Sequence, residues 1–565
     1  MMRIPSLLVL FIILAACGNR AEQQAQPANI FVTATPDQAS GAQIEPTQPE
    51  VGSESMAVSP ALPVNLDGLR FSNQTATANV AITHATALGR NEDGSMMMVG
   101  AAAGDFNNDS LVDLFVVGGG LEFDALFINQ GNGTFTDVAQ TAGLSELHVG
   151  SGVAVGDYND DGWQDIYVTS FGPLEAIGPG HNRLYRNNGD LTFTDVAVEA
   201  GVGLSSPELA DGLGASFGDY DLDGDLDLFV TGWRKNSQGN RLFRNNGDGT
   251  FSDVTGTSGI VDNGIRGFSP CFADMDGDHF PELLLVADFG TSQYYVNNAD
   301  GTFTEHTSES GVGLEWAGMG STVGDFDNDG RLDWYTTAIY DDDPAGRGDG
   351  NKLYYNQGGQ KFIERAQAAG VDDGGWGWGA IAVDLNHDGW LDLVETNGWE
   401  DLRPYQDELS KLWISNGDGT FSEAAQAAGF NHVLDGRGLL YFDYDNDGDQ
   451  DIVVTAVNGE LQLYRNDLVK PDANWLRVFL DTSAAPGLAP NGIGARVSVR
   501  VGDQVYYRHI LACPHYLTQS ELSAHFGLGG ASMVDELRVE WADGSVTTRA
   551  NVAINQTISV AVEAP

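Results

Sequence analysis

The stretch 219–230, DYDLDGDLDLFV, decides how this chain folds. Carboxylates stand at its first, third, fifth and ninth positions, Gly224 takes the sixth, and an apolar run follows at once. Acids at alternate positions of a nine-residue turn bring their oxygens toward one point, where they repel unless a hard cation lies between them. The glycine supplies the backbone freedom of a sharp turn. The short apolar run reads as a buried strand. Residues 242–253, LFRNNGDGTFSD, then read as two short strands around an Asn/Gly/Asp turn, a hairpin pattern.

Both patterns recur. Loops of the form D-x-[DN]-x-D-x-x-x-[DE] begin at Asp105, Asp157, Asp219, Asp274, Asp325, Asp384 and Asp443, with spacings of 52, 62, 55, 51, 59 and 59 residues. Near copies of the hairpin lie at 126–137, 184–195, 294–305, 353–364 and 412–423. A unit therefore reads strand, acidic loop, strand, connection, strand, tight turn, strand. Four antiparallel strands in roughly 55 residues make one blade of a β-propeller. The seventh unit has LQLYRN (461–466) but no fourth strand after it, while GLRFSNQTA (68–76) resembles the missing piece. The N-terminal segment is expected to complete the last blade and leave no free edge. The expected fold is all-β, a seven-bladed β-propeller over 65–468 followed by a small β-sandwich-like domain.

The ligand positions are Asp105, Asn107, Asp109 and Asp113 in loop one, and Asp157, Asn159, Asp161 and Asp165 in loop two. Loop three offers Asp219, Asp221, Asp223 and Asp227; loop four offers Asp274, Asp276, Asp278 and Glu282. Loop five has Asp325, Asp327, Asp329 and Asp333, and loop six Asp384, Asn386, Asp388 and Asp392. Asp443, Asp445, Asp447 and Asp451 complete loop seven. All-oxygen sets in flexible loops suit calcium, up to seven ions. Gly162, Gly224, Gly330, Gly389 and Gly448 hold the sixth position, whereas Ser110 and His279 depart from it and set loops one and four apart. A strand rather than a helix follows each loop, so these are not EF-hands. The expected role of the ions is structural.

With these residues in view, the loops and hairpins resemble FG-GAP/VCBS repeats, the blade type of the integrin α-chain head. From about residue 472 the acidic loops stop. Strands are expected at 474–480, 494–501, 504–511, 535–541 and 557–562. NGIGARVSV, YLTQSELSAHFGLG and VEWADG within 472–565 resemble the ASPIC/UnbV domain. The combination is similar to the cartilage acidic protein family and its bacterial relatives, which implies extracellular placement, adhesion and calcium but no defined activity.

Residues 1–16, MMRIPSLLVLFIILAA, read as a signal peptide, because the apolar run is too short to cross a bilayer. Leu14-Ala15-Ala16-Cys17 resembles the lipobox of bacterial lipoproteins, which implies lipidation of Cys17 and anchoring to the cell envelope, at the outer membrane or cell surface. Residues 17–64, rich in Ala, Gln, Thr, Ser and Pro, read as a disordered tether. The remaining cysteines, Cys271 and Cys513, are far apart in sequence and are expected as two buried thiols. His509, His515, His525 and Cys513 lack compact ligand spacing and read as structural residues.

The chain of 565 residues carries 80 acidic against 27 basic residues, a formal charge of −53. Phosphate affinity rests on clustered Lys and Arg, so nucleic-acid binding is excluded. Twenty-five of the acids occupy the ligand positions, so seven divalent ions would offset part of the charge and the rest reads as solvated surface. No HExxH or phosphate loop is present.

A ligand face is expected opposite the acidic loops, where 340–351 and 397–410 form long aromatic loops. Trp233, Trp316, Trp376, Trp378, Trp399 and Tyr405 are its candidates, with packing between blades as the competing role. Arg347-Gly348-Asp349 reads as a coincidental integrin tripeptide. The functional expectation is a binding or adhesion module for a protein or glycan partner, reaching the membrane only through its lipid. Two alternatives stay open: an exported calcium-dependent carbohydrate-active enzyme of the polysaccharide-lyase kind, and an accessory subunit of an exported enzyme.

Overall fold

The computed structural model describes residues 66–562 apart from 88–93, 172–180, 205–211, 234–238, 262–263, 342–347 and 400–404. The expected signal peptide, Cys17, the tether and Arg347 lie outside the described residues.

Each acidic loop joins the first two strands of a four-stranded antiparallel sheet, and the described residues contain seven such sheets. In the third unit Ala215–Gly218 pairs with Asp227–Val230, then Arg241–Asn245 and Phe251–Asp253 follow outward. The two inner strands are buried at every residue, while the outermost buries only Phe251. Inner strands lie between two neighbouring sheets, so both of their faces must be apolar. This is why they read as continuous hydrophobic runs.

Adjacent sheets share one apolar layer each. Six of these layers join consecutive units from one to seven. A further layer, containing Leu114, Phe135, Leu440 and Val453, joins unit one to unit seven. The sheets thus close into a ring. Phe71–Asn73 pairs with Gln462–Asn466 (Phe71 opposite Asn466), so the N-terminal segment supplies the outer strand of the seventh sheet, as the sequence pattern predicts.

The C-terminal region forms two sheets, one of Ala524–Gly529, Asn474–Asp481 and Gln556–Ala561, the other of Gln504–His509, Arg496–Val501, Val534–Glu540 and Val546–Val552. Between Gln504–His509 and Ala524–Gly529 the chain enters the centre of the ring. Thr518–Gln519 adds a parallel fifth strand to the first sheet beside Ala101–Ala102. The inserted segment is held by the innermost strands of several units. The Gln519 amide exchanges two hydrogen bonds with Val155, the Thr518 hydroxyl donates to Leu439 O, and Ser216 Oγ donates to Ala512 O.

One expectation is corrected here. Cys271 and Cys513 form a disulfide rather than two free thiols. Their separation of 242 residues obscures the pairing in sequence, but ring closure sets the inner strand Arg266–Ala273 against the inserted segment, with the two Cα atoms 4.6 Å apart. No helix among the described residues is long and apolar enough to cross a membrane.

Candidate metal centres and the aromatic face

Each acidic loop is built by its own first and last carboxylates. In six loops the first aspartate accepts N–H groups from positions five and six: Asp219, for example, takes Asp223 at 3.1 Å and Gly224 at 3.0 Å. The position-nine carboxylate accepts the N–H of position two, as Asp227 does from Tyr220 at 3.2 Å. Closing so tight a turn needs positive φ at positions four and six. Leu222 (58°) and Gly224 (96°) show this, and Ser110 (69°) and His279 (77°) adopt the same conformation without glycine.

The geometry brings positions one, three and nine together. In Asp219/Asp221/Asp227, Asp274/Asp276/Glu282, Asp325/Asp327/Asp333 and Asp443/Asp445/Asp451 one oxygen from each residue lies within 4.8 Å of the others. Oxygens at about 2.4 Å from one calcium span up to about 4.8 Å, so these groups have the right size. The other three loops carry Asn107, Asn159 or Asn386 at position three. The position-five acids stand outside the four groups; the carboxylates of Asp223 and Asp329 accept the N–H of position seven.

Two further observations fit a cation. The Oδ1 atoms of Asn159, Asp221 and Asp445 are buried without a hydrogen-bond partner, a costly state that a metal ion relieves. Burial also pushes Asp113, Asp165 and Asp333 up to about 8, helped by nearby carboxylates and opposed by the N–H groups they accept. Asp227, Asp392 and Asp451 lie well above their ordinary value, again chiefly through burial. Calcium bound here would supply the opposite charge that keeps these groups ionised.

A residue that the sequence reading passed over as a turn former completes the arrangement. Asn245 donates its N–H to Asp227 Oδ1 at 2.8 Å, and its side-chain Nδ2 donates to Tyr158 O in the loop of the preceding unit at 2.8 Å. Asn129, Asn187, Asn297, Asn356 and Asn466 make the same step to Tyr444, Phe106, Tyr220, Met275 and Leu385. The signal was the recurrence of Asn at one hairpin position. Unit six has Ser415 there instead.

The C-terminal sheets pack on the acidic-loop side. Arg477, almost fully buried, lies 3.2 Å from Asp443 and 3.7 Å from Glu521, and Gly527 N–H donates to Asp384 at 3.0 Å. His525 bonds Gly448 O, and among the described residues neither histidine nor cysteine joins a group that could hold a metal. Cys513 is committed to its disulfide.

From that side the inserted segment runs to the aromatic candidates. The Tyr516 ring lies 5.2 Å from Trp378 and 5.5 Å from Phe268, and its hydroxyl donates to Met97 O. Trp376, Trp378 and Trp399 stack nearly parallel, with Trp376 and Trp399 centroids 4.7 Å apart. Tyr405 meets Trp376 edge-on, and the Arg437 guanidinium sits 4.0 Å over Trp378. Trp233 belongs to the same apolar layer but packs on Phe268 and Phe289, while Trp316 stands apart over Gly290. Trp233, Trp378 and Tyr405 are buried; Trp376 and Trp399 are half-buried, and Trp316 is exposed.

One buried chain resembles catalytic machinery. His148 Nε2 lies 2.7 Å from Asp124 and its Nδ1 3.3 Å from Ser170 Oγ. Ser170 is fully buried, so the trio ties units one and two together and presents no accessible nucleophile.

Against known proteins, the FG-GAP-like repeat family matches residues 105–168, 174–230, 219–285, 281–336 and 402–454, and the ASPIC and UnbV family matches 486–564. Human cartilage acidic protein 1 is 25% identical over 438 residues, which is 75% of this chain and 55% of that protein. The mouse protein is 34% identical over 169 residues, 28% of this chain and 24% of that one. The chain therefore spans about half the length of the human relative and less of the mouse one. The WD40 domain of Toxoplasma gondii coronin superposes with a TM-score of 0.37 at 10% identity, covering 72% of this chain and 88% of that one. The repeats, the C-terminal match and the shared sequence agree: the chain belongs with the FG-GAP-repeat proteins that carry an ASPIC and UnbV domain, and is homologous to cartilage acidic protein 1.

Proposed function

We propose that this protein is an exported, lipid-anchored, calcium-stabilised binding module that presents its aromatic face to a protein or glycan partner. The observation that carries the reading is the Trp376–Trp399 stack, half-exposed and lying away from the side occupied by the C-terminal sheets. Flat indole surfaces stack on sugar rings and anchor protein interfaces. The acidic loops, buried at their position-nine carboxylates, serve the scaffold: in every unit but the sixth, an ion would tie a strand pair to the asparagine that reaches the preceding sheet. The half-exposed rings therefore stand on a rigid ring of sheets.

The test is a glycan array and a capture experiment with the full chain, run beside depolymerisation assays on the bound glycans. Binding lost in Trp376→Ala and Trp399→Ala supports the reading. Cleavage products would replace it with a carbohydrate-active enzyme, and co-purification with one exported enzyme would make the chain an accessory subunit. Envelope fractionation with and without Cys17→Ser tests the anchor.

A further inference from the structure

The fourth acidic loop differs from the other six in three respects. Its first carboxylate, Asp274, accepts Gly277 N–H at position four rather than the N–H of position five. Its last ligand is the longer Glu282. And the side chain of Gln360, from the hairpin of unit five, reaches into it: Nε2 lies 2.6 Å from Asp276 Oδ2 and 3.1 Å from Glu282 Oε1.

We infer that the Gln360 amide closes the fourth loop in place of a cation. The two acceptors of this nitrogen are oxygens of positions three and nine, the pair that a bound calcium would need. An ion at about 2.3–2.6 Å from both oxygens would stand where the nitrogen stands, so the two exclude each other. The amide orientation is settled by its neighbours. The NH₂ end donates to Asp276 Oδ2 and Glu282 Oε1. The buried Tyr294 hydroxyl donates to the other end, Oε1.

In the remaining loops the position-nine oxygen that Gln360 takes here accepts the backbone N–H at the end of the third strand, as Asp333 does from Asn356. The corresponding hairpin residue is Gly133, Gly249, Gly301 or Gly419 in four other units, too short to reach any ligand. Gln360 itself has the positive φ of that place, 59°. A glutamine held where four sister hairpins have glycine and unit two has Leu191, with both ends of its amide engaged, marks a substitution in the loop's chemistry rather than a surface variation.

The inference rests on the calcium reading of the other loops, and its test separates the two. Full-length wild type, Gln360→Gly and Asp276→Asn are equilibrated with calcium and the bound ions per chain are counted by equilibrium dialysis. Gln360→Gly restores the residue that four sister hairpins use and is expected to fold. It should gain one ion per chain, whereas Asp276→Asn in the wild-type background should leave the count unchanged. Loss of an ion in Asp276→Asn, or no gain in Gln360→Gly, overturns the inference. A wild type that binds no calcium, with one ion gained in Gln360→Gly, sinks the calcium reading of the other loops and leaves this one standing. As a second readout, melting in chelator should fall for Gln360→Gly and recover with calcium; a melt unchanged by the substitution also overturns it.

Discussion

Asn129 donates from Nδ2 to the backbone carbonyl of Tyr444, 315 residues away, at 2.8 Å. The same side chain bonds Val112 O, and its main-chain N–H bonds the buried carboxylate Asp113. One asparagine thus couples the acidic loop of the first unit to that of the seventh and helps to close the ring.

Removing this coupling should open the ring at its seam. Asn129→Ala leaves two buried carbonyls without a partner, a loss of about 1–3 kcal/mol for each unsatisfied group. Thermal unfolding should shift down. Amide exchange should rise first in Phe71–Asn73 and Gln462–Asn466, the strands that finish the seventh sheet. Uniform exchange across all seven sheets would contradict a seam.

The converse substitution should stabilise. Ser415 bonds Asp392 through its N–H but cannot extend a side chain to the loop of unit five. Ser415→Asn would supply the missing step to Phe326 O, worth about 0.5–1.5 kcal/mol for one added hydrogen bond. Chemical denaturation measures this directly. A lower midpoint would show that the site has no room for the amide.

Calcium removal should destabilise most at alkaline pH. In the metal-free fold Asp113, Asp165 and Asp333 hold their protons up to about 8, against 3.8 for the free side chain. The folded state then binds more protons than the unfolded state between these limits. Stability contributed by these groups is fully present below about 4 and is lost as pH rises through 8. Calorimetry in chelator should show melting fall from pH 5.5 to 8.5, and calcium should reduce that slope. A metal-free melt independent of pH would sink the account.

The disulfide should pin the C-terminal insertion. Closing a loop of 242 residues is worth about 5 kcal/mol in the chain-entropy model. In Cys271→Ser with Cys513→Ser, protease should cut within 510–523 before the sheets. Peptide mapping without reductant should find no alkylated thiol at either position in the wild type. Free thiols there would restore the reading as two buried cysteines.

The aromatic residues should divide by burial. Trp378→Ala removes a fully buried side chain and should cost about 3–5 kcal/mol. Trp316→Ala, at an exposed site, should change stability by less than about 0.5 kcal/mol. Equal effects in denaturant melts would contradict the burial pattern. Partner binding is expected to follow Trp376 and Trp399 rather than either of these.

What the sequence by itself determined is what lies within about a dozen residues. The alternating acids of 219–227 dictate a turn whose carboxylates converge, and LFRNNGDGTFSD dictates the hairpin beside it. Recurrence of the two at regular spacing was enough for a ring of four-stranded sheets, and even the use of 68–76 to finish the last sheet was legible, because the missing strand has a sequence resembling its sisters. Tertiary structure alone decided the rest. The partner of Asn129, the pairing of Cys271 with Cys513, the insertion of Thr518–Gln519 into the ring and the reach of Gln360 toward Asp276 each join residues far apart along the chain. Nothing local encodes those distances. They exist only once the apolar faces of the sheets have been buried against one another and the ring has closed, bringing the inner strands and the loop tips of successive units within bonding range.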